Sequence, residues 1–294
     1  MKTFYRRLPK FEYLRPGSME EALALISGKE GSVKLLAGGT DLIPQVKKRE
    51  VPVPAFVLDM KSIPGLGNIT HHHNGLSIGA LATIQAVGAD PVINERFAPL
   101  SQAALQMASP QVRNRGTIAG NICNAVPSAD SAPALLALGA EVKLESRRGA
   151  RRVPLDQFFT GPRTTVIKED ELLTEIIVPA QEPGSRGVYL KLSPRHSMDL
   201  AVVGVAVMGT MENGICKEVK IALGAVAPTP IRAPMAEALL RGNRPTPELI
   251  DEAARNALTQ CNPIDDHRAS REYRCDMVYA MTRRALTRIF GGTR

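Results

Sequence analysis

The apolar positions of this chain come in short runs, each stopped by glycine, proline or a charged residue. Residues 33–36, 55–59, 76–80, 141–145, 172–178, 187–192, 200–210 and 215–223 read as strands. Helical spacing marks residues 18–26, 41–49, 132–138, 233–241, 247–260 and 269–289. Thr83 opens a further short helix, and residues 91–107 hold one or two more. Ser18 is placed to cap the first helix, and Glu20 and Glu21 favour its N-terminal dipole. Tyr273, Met277, Ala280 and Met281 give the last helix an apolar face expected to pack on the preceding sheet. Asn213-Gly214 signals a hairpin turn between two of the strands. Residues 109–131 show few periodic apolar positions and read as a long irregular loop. Such loops inside a compact domain are usually functional.

Two of the runs end in small residues and then present a polar side chain. Leu35-Leu36-Ala37-Gly38-Gly39-Thr40-Asp41 runs from a strand through a glycine turn into a helix. Thr117-Ile118-Ala119-Gly120-Asn121 has the same character and is followed by Asp130. Small residues let backbone N–H groups approach an anion without a side chain in the way. A strand–turn–helix unit aims such groups at it. Two of these turns in one domain suit the two phosphates of a dinucleotide. Taken singly, each feature has a plainer reading. Gly38-Gly39 can be a simple turn, and Asn121 and Asp130 can satisfy local backbone groups. Lys191 can be a surface residue beside a strand, and Asp265, Asp266 and Arg268 can start the last helix.

Composition narrows the classes. The 294 residues suit two or three compact units. Hydrophobic content of 44% and charged content of 22% are ordinary for a soluble globular protein. No membrane span is expected from such short apolar runs. The basic start, residues 1–7, has no apolar core behind it, so a cytoplasmic location is expected. The four cysteines, Cys123, Cys216, Cys261 and Cys275, form no close pair with ligand spacing. They are expected to be free thiols, and the chain to carry no iron–sulfur centre or other metal site. A net charge of +8 raises nucleic-acid binding as a possibility. The basic residues are scattered, however, and the densest group, Arg147-Arg148 with Arg151-Arg152, reads as a hairpin tip around Gly149-Ala150. With 4% aromatic residues and no tryptophan, stacking platforms are scarce. The run His71-His72-His73-Asn74-Gly75 alternates faces and ends in a turn signal, which disfavours a metal site. No dinucleotide fingerprint of the G-x-G-x-x-G kind, no P-loop and no G-x-S-x-G elbow occurs.

Several segments, in order, carry a family resemblance. They are residues 37–41 (Ala-Gly-Gly-Thr-Asp), 113–121 (Arg-Asn-Arg-Gly-Thr-Ile-Ala-Gly-Asn), 127–140, 191–196, Asp199-Leu200-Ala201 and 265–274. Together they resemble the FAD-binding medium subunit of the molybdenum hydroxylases, the xanthine dehydrogenase and aerobic carbon monoxide dehydrogenase family. One departure is visible: many relatives have glycine where Ala119 stands, which requires a negative φ there. A related reductase class inserts a cysteine-rich loop, and this chain has none.

The resemblance implies an α+β chain. Residues 1–180 form an FAD-binding domain of the vanillyl-alcohol oxidase type, with subdomains about 1–55 and 56–180. Residues 181–294 form a C-terminal domain with a small antiparallel sheet and helices. It implies non-covalent FAD held by Leu35, Leu36, Ala37, Gly38, Gly39, Thr40 and Asp41 around the pyrophosphate. Thr117, Ile118, Ala119, Gly120 and Asn121 contact the phosphates and ribityl chain. Asp130 accepts from sugar or ribityl hydroxyls, Leu173 packs near the ring systems, and Lys191 lies near the isoalloxazine. No catalytic side chain is implied. The molybdenum cofactor and the [2Fe–2S] clusters belong to a large and a small partner subunit. The flavin exchanges electrons with NAD, a quinone, ferredoxin or oxygen. Two rival readings are a self-contained FAD-dependent reductase of the same fold, like the one that makes UDP-N-acetylmuramic acid, and a basic nucleic-acid-binding protein.

Overall fold

The computed structural model describes residues 7–29, 31–195 and 197–291. Most of the basic start (residues 1–6) and His196 lie outside them. The chain begins with β1 (Glu12–Leu14), α1 (Met19–Ile26), β2 (Val33–Leu36), α2 (Leu42–Lys48) and β3 (Phe56–Asp59). Ser18 caps α1 by accepting from the Glu21 N–H. The three strands form a parallel sheet in the order β1-β3-β2. The subdomain break expected near residue 55 therefore falls one strand too early. β3 is the central strand, paired in parallel with β1 on one side and β2 on the other, an arrangement the crossovers through α1 and α2 permit.

β4 (Ile69–His72) and β5 (Gly75–Gly79) follow as a hairpin turning at His73-Asn74. Then come α3 (Ile84–Ala89), α4 (Pro91–Arg96) and α5 (Ala98–Gln106). The segment expected to be a long loop instead holds α6 (Pro110–Arg113) and α7 (Ile118–Asn124), before α8 (Ser131–Leu138). These helices are too short to show an apolar period, but each has a cap. The Ser109 hydroxyl accepts from Val112 N–H, and that of Thr117 from Gly120 N–H. Ala119 sits inside α7, at the negative φ its side chain requires. α8 is buried on every side, as an evenly apolar helix must be.

β6 (Glu141–Ser146) and β7 (Gly149–Pro154) form a hairpin. Its tip is Arg147-Arg148, with Gly149 already in the strand, so the basic pair itself makes the turn. Arg148 pairs with Asp170 and Arg151 with Glu171, which neutralises half of that basic group. β8 (Phe159–Gly161) and β9 (Thr164–Thr165) make a small separate hairpin. β10 (Leu172–Pro179) then enters the middle of an antiparallel sheet ordered β4-β5-β10-β6-β7.

The rest of the chain forms β11 (Arg186–Leu192), β12 (Val203–Glu212), β13 (Ile215–Gly224) and β14 (Ile231–Arg232), an antiparallel sheet in that order. Asn213 and Gly214 both have positive φ, as the hairpin signal predicts. α9 (Pro234–Leu240), α10 (Pro247–Thr259) and α11 (Arg271–Phe290) complete the fold. β12 starts three residues later than its apolar run, and it is buried on both faces. Val203, Val205 and Val207 face the cluster containing α9, α10 and α11. Ala206 and Met208 alternate with them into the core of the first two sheets, where α5 and α8 also lie. The face of α11 that packs is Val278, Met281, Ala285, Leu286 and Ile289. Tyr273, expected on that face, is exposed, because the inward position of the first turn is taken by the next residue, the buried Arg274. Among the described residues no helix is long and apolar enough to cross a membrane, and no cluster of metal-ligating side chains occurs.

Candidate functional site

The glycine turn after β2 is brought against the segment leading into α7. Gly38 is the point of closest approach: a Cβ there would lie 2.0 Å from the carbonyl oxygen of Arg115. Gly39 has a φ of +76°, the left-handed region that favours glycine, and its missing Cβ would face Leu36 and Ile43. The two glycines thus serve the fit of one turn on another and the bend of the chain. Neither missing side chain would have projected toward a ligand first. The second segment is fastened from below. Ile84 N–H donates to Gly116 O at 2.9 Å, and Thr83 and Thr117 bridge the two helix starts.

A cavity of about 850 Å³ opens between these turns. Of the residues anticipated from sequence, Leu35, Ala37, Gly38, Gly39, Thr40 and Asp41 line it from one side. Thr117, Ala119, Gly120, Asn121, Asp130 and Leu173 line it from the other. The backbone N–H groups of Gly38, Gly39, Thr40 and Asp41 meet no acceptor among the described residues. Four consecutive free donors beside a cavity form a concave anion site. The Thr117 hydroxyl accepts from Gly120 N–H of its own helix at 2.9 Å, which leaves its O–H proton to donate to a ligand. Asn121 Oδ1 accepts from the Ser131 hydroxyl at 2.6 Å, which leaves its amide N–H pair without a described acceptor.

Leu36, Ile118 and Lys191 are not on the cavity wall. Ile118, one residue before Ala119 on α7, is fully buried in the core. Lys191 lies behind the wall, on β11. Its Nζ donates to Asp130 Oδ2 at 2.9 Å, to Asp199 O at 3.0 Å and to Gln106 O at 3.4 Å. All three ammonium protons are thereby used, and none remains for a ring system. Asp130 also accepts from the Tyr189 hydroxyl at 2.6 Å. It stands at the N-cap of α8 but makes no capping bond there, so its carboxylate is aimed at the β11 pair instead. The Asp130 and Lys191 side chains are 8% and 5% exposed. Burial raises the Asp130 pKa, opposed by the Lys191 charge and by both hydrogen bonds. Burial, with the Asp130 carboxylate next to it, drives the Tyr189 phenol well above its ordinary value, so it stays a donor.

Sequence reading missed part of the lining. Met107 and Ala108 line the cavity, as do Met198, Asp199 and Leu200 from the loop after β11. That loop docks on Ala108, whose carbonyl accepts from Met198 N–H and the Ser197 hydroxyl. Arg163, at the tip of the β8–β9 hairpin, also lines the cavity. Its only sequence signal is the Gly161-Pro162 pair before it, a turn marker without chemical content.

Comparison with known proteins agrees with this architecture. Residues 9–181 match the family described as FAD binding domain in molybdopterin dehydrogenase. Residues 188–289 match the CO dehydrogenase flavoprotein C-terminal domain. The chain is 37% identical to the carbon monoxide dehydrogenase medium chain of Hydrogenophaga pseudoflava, over 95% of this chain and 96% of that one. It is 34% identical to the glyceraldehyde dehydrogenase medium chain of Sulfolobus acidocaldarius, over 96% and 99%. A structure of the Hydrogenophaga pseudoflava carbon monoxide dehydrogenase, lacking the Mo-pyranopterin moiety, superposes with a TM-score of 0.93 at 38% identity, covering 97% of this chain and 99% of that one.

Proposed function

The chain belongs to the FAD-binding medium subunits of the molybdenum hydroxylases, and on that premise we propose that it relays electrons between the [2Fe–2S] clusters of a small partner subunit and an external carrier such as NAD. It is an oxidoreductase subunit that does not hold the molybdenum site. FAD, when bound, supplies the exchange between one-electron transfer and hydride transfer. The observation that carries the reading is the cavity itself, of dinucleotide size and edged by four consecutive unpartnered N–H groups.

The residues present fit that cofactor, and each has a definable task. The N–H groups of Gly38 to Asp41 hold a diphosphate without needing a proton transfer. Asn121 offers its amide donors, and Leu173 offers an apolar wall on β10. Asp130 accepts from hydroxyl groups, with Tyr189 and Lys191 fixing its orientation. No side chain is assigned as an acid or base, because hydride transfer at the flavin needs none. The division into a cofactor domain, residues 1–180, and a C-terminal domain, residues 181–294, is part of this reading, as is a cytoplasmic location. The large molybdopterin subunit selects the substrate, in keeping with relatives named for substrates as different as carbon monoxide and glyceraldehyde.

Two experiments test this. Chain purified alone and denatured should release one FAD per polypeptide; a colourless, flavin-free protein that cannot be reconstituted would remove the premise. The complex purified with both partners should then reduce its carrier only when FAD is present. Turnover of a small organic substrate by the isolated chain with NADPH would favour the self-contained reductase.

A further inference from the structure

A diphosphate carries two negative charges, so a cation on the cavity wall would add to the hold of the four backbone N–H groups. Lys191 is saturated by Asp130 and two carbonyls, and the wall itself carries Lys34, Lys48, Lys168 and one guanidinium. Arg163 is the guanidinium on the cavity wall whose side chain makes no hydrogen bond or close ion pair among the described residues. Its backbone is held in place. The residue has a φ of +60°, unusual for a non-glycine, and its N–H donates to Ala125 O at 2.8 Å. Ala125 is itself the left-handed C-cap of α7, the helix that carries Ala119, Gly120 and Asn121. The hairpin tip is thus tied to the element that forms one wall of the cavity.

Across the cavity, Asp41 ends the row of unpartnered N–H groups. Partial burial raises the Asp41 pKa, and the Arg163 charge acts against that. The guanidinium is therefore close enough to the end of the glycine turn to be felt there, yet the two side chains form no direct salt bridge.

We propose that Arg163 is the countercharge for the diphosphate bridge of the dinucleotide, closing against the turn at residues 38–41 and favouring FAD over flavins that lack the bridge. The inference rests on the FAD reading above. A planar guanidinium suits it, since it meets two phosphate oxygens at once and stays charged at any working pH.

The test uses the full-length chain stripped of flavin, with FAD, ADP and adenosine titrated into unsubstituted protein, Arg163→Gln and Arg163→Lys. The expected result is a loss of about 10- to 100-fold in affinity for both FAD and ADP in Arg163→Gln, the scale of a lost charge-assisted pair. Adenosine affinity should not change, Arg163→Lys should recover part of the loss, and the salt dependence of FAD binding should flatten in Arg163→Gln. Unchanged FAD affinity would overturn the proposal, and so would an equal loss for adenosine, which would mark a structural role for the hairpin. Should Arg163→Gln fail to fold, Arg163→Lys decides on the same comparison: a loss for FAD and ADP but not adenosine supports the assignment, and no loss refutes it. If unsubstituted chain binds neither FAD nor ADP, the cofactor reading itself has failed.

Discussion

At the scale of single residues, two neighbouring glycines have different reasons to be glycine. Gly38 abuts the Arg115 carbonyl, which belongs to the backbone and cannot swing aside. Gly39 needs its left-handed φ, and its neighbours there are side chains that can shift. Gly38→Ala should therefore push the two turns apart and abolish FAD retention. Gly39→Ala should cost about 1 kcal/mol of stability and keep the flavin. Flavin content and thermal midpoints of the two variants, measured side by side, check this; equal retention in both would show that the turns do not meet as described. Lys191 supplies a second case. Removing it in Lys191→Met leaves a buried carboxylate without its cation, a loss of about 3–5 kcal/mol. The denaturation midpoint of the flavin-free chain reads that loss. Unchanged stability with a shifted flavin potential would mean the lysine acts on the cofactor directly, as the sequence resemblance alone implies.

At the scale of elements, the start of α11 carries a titratable lock. Asp266 accepts from the N–H groups of Arg268 and Ala269 and from the Arg274 guanidinium. Arg274 is buried and also donates to Val202 O and Ala225 O, tying α11 to the ends of β12 and β13. Burial alone would raise the Asp266 pKa, but these donors outweigh it and hold the carboxyl at about 2. A carboxyl depressed in the folded state stabilises above its unfolded pKa, and that contribution is lost as pH falls toward the folded value. The unsubstituted chain should therefore lose about 2 kcal/mol of stability between roughly pH 4 and pH 2 from this group. Asp266→Asn should be less stable at neutral pH and show a flatter profile across that window. Chemical denaturation at stepped pH measures it, and parallel profiles would dismiss the lock.

At the scale of the whole molecule, the C-terminal sheet is shared between two cores. Tyr189, Ala206, Met208 and Ala222 lie in the same buried cluster as the cofactor domain, while the alternate residues of β12 and β13 face α9 to α11. The Asp130–Lys191 pair crosses the same seam. Two domains joined in this way should unfold as one. Calorimetry of the FAD-loaded chain should give a single transition that coincides with flavin release, and excess FAD at about 100 times its dissociation constant should stabilise it by about 2.7 kcal/mol. Two resolved transitions would show that the seam is weaker than the packing indicates.

Much of this is legible in the sequence, because it is local. Caps such as Ser18, the Asn213-Gly214 turn and the glycine turn at residues 38–41 depend on a few adjacent residues, so the chain announces them wherever they stand. Short helices were not legible at residues 109–131, since one or two turns give no period to read. Folding alone decided which groups meet. It placed β3 inside the first sheet, set Arg115 against Gly38, and spent Lys191 on Asp130. It also brought Arg163 to the cavity. Contacts between residues far apart in the chain are set by packing and by the satisfaction of buried charge, and no local pattern encodes them.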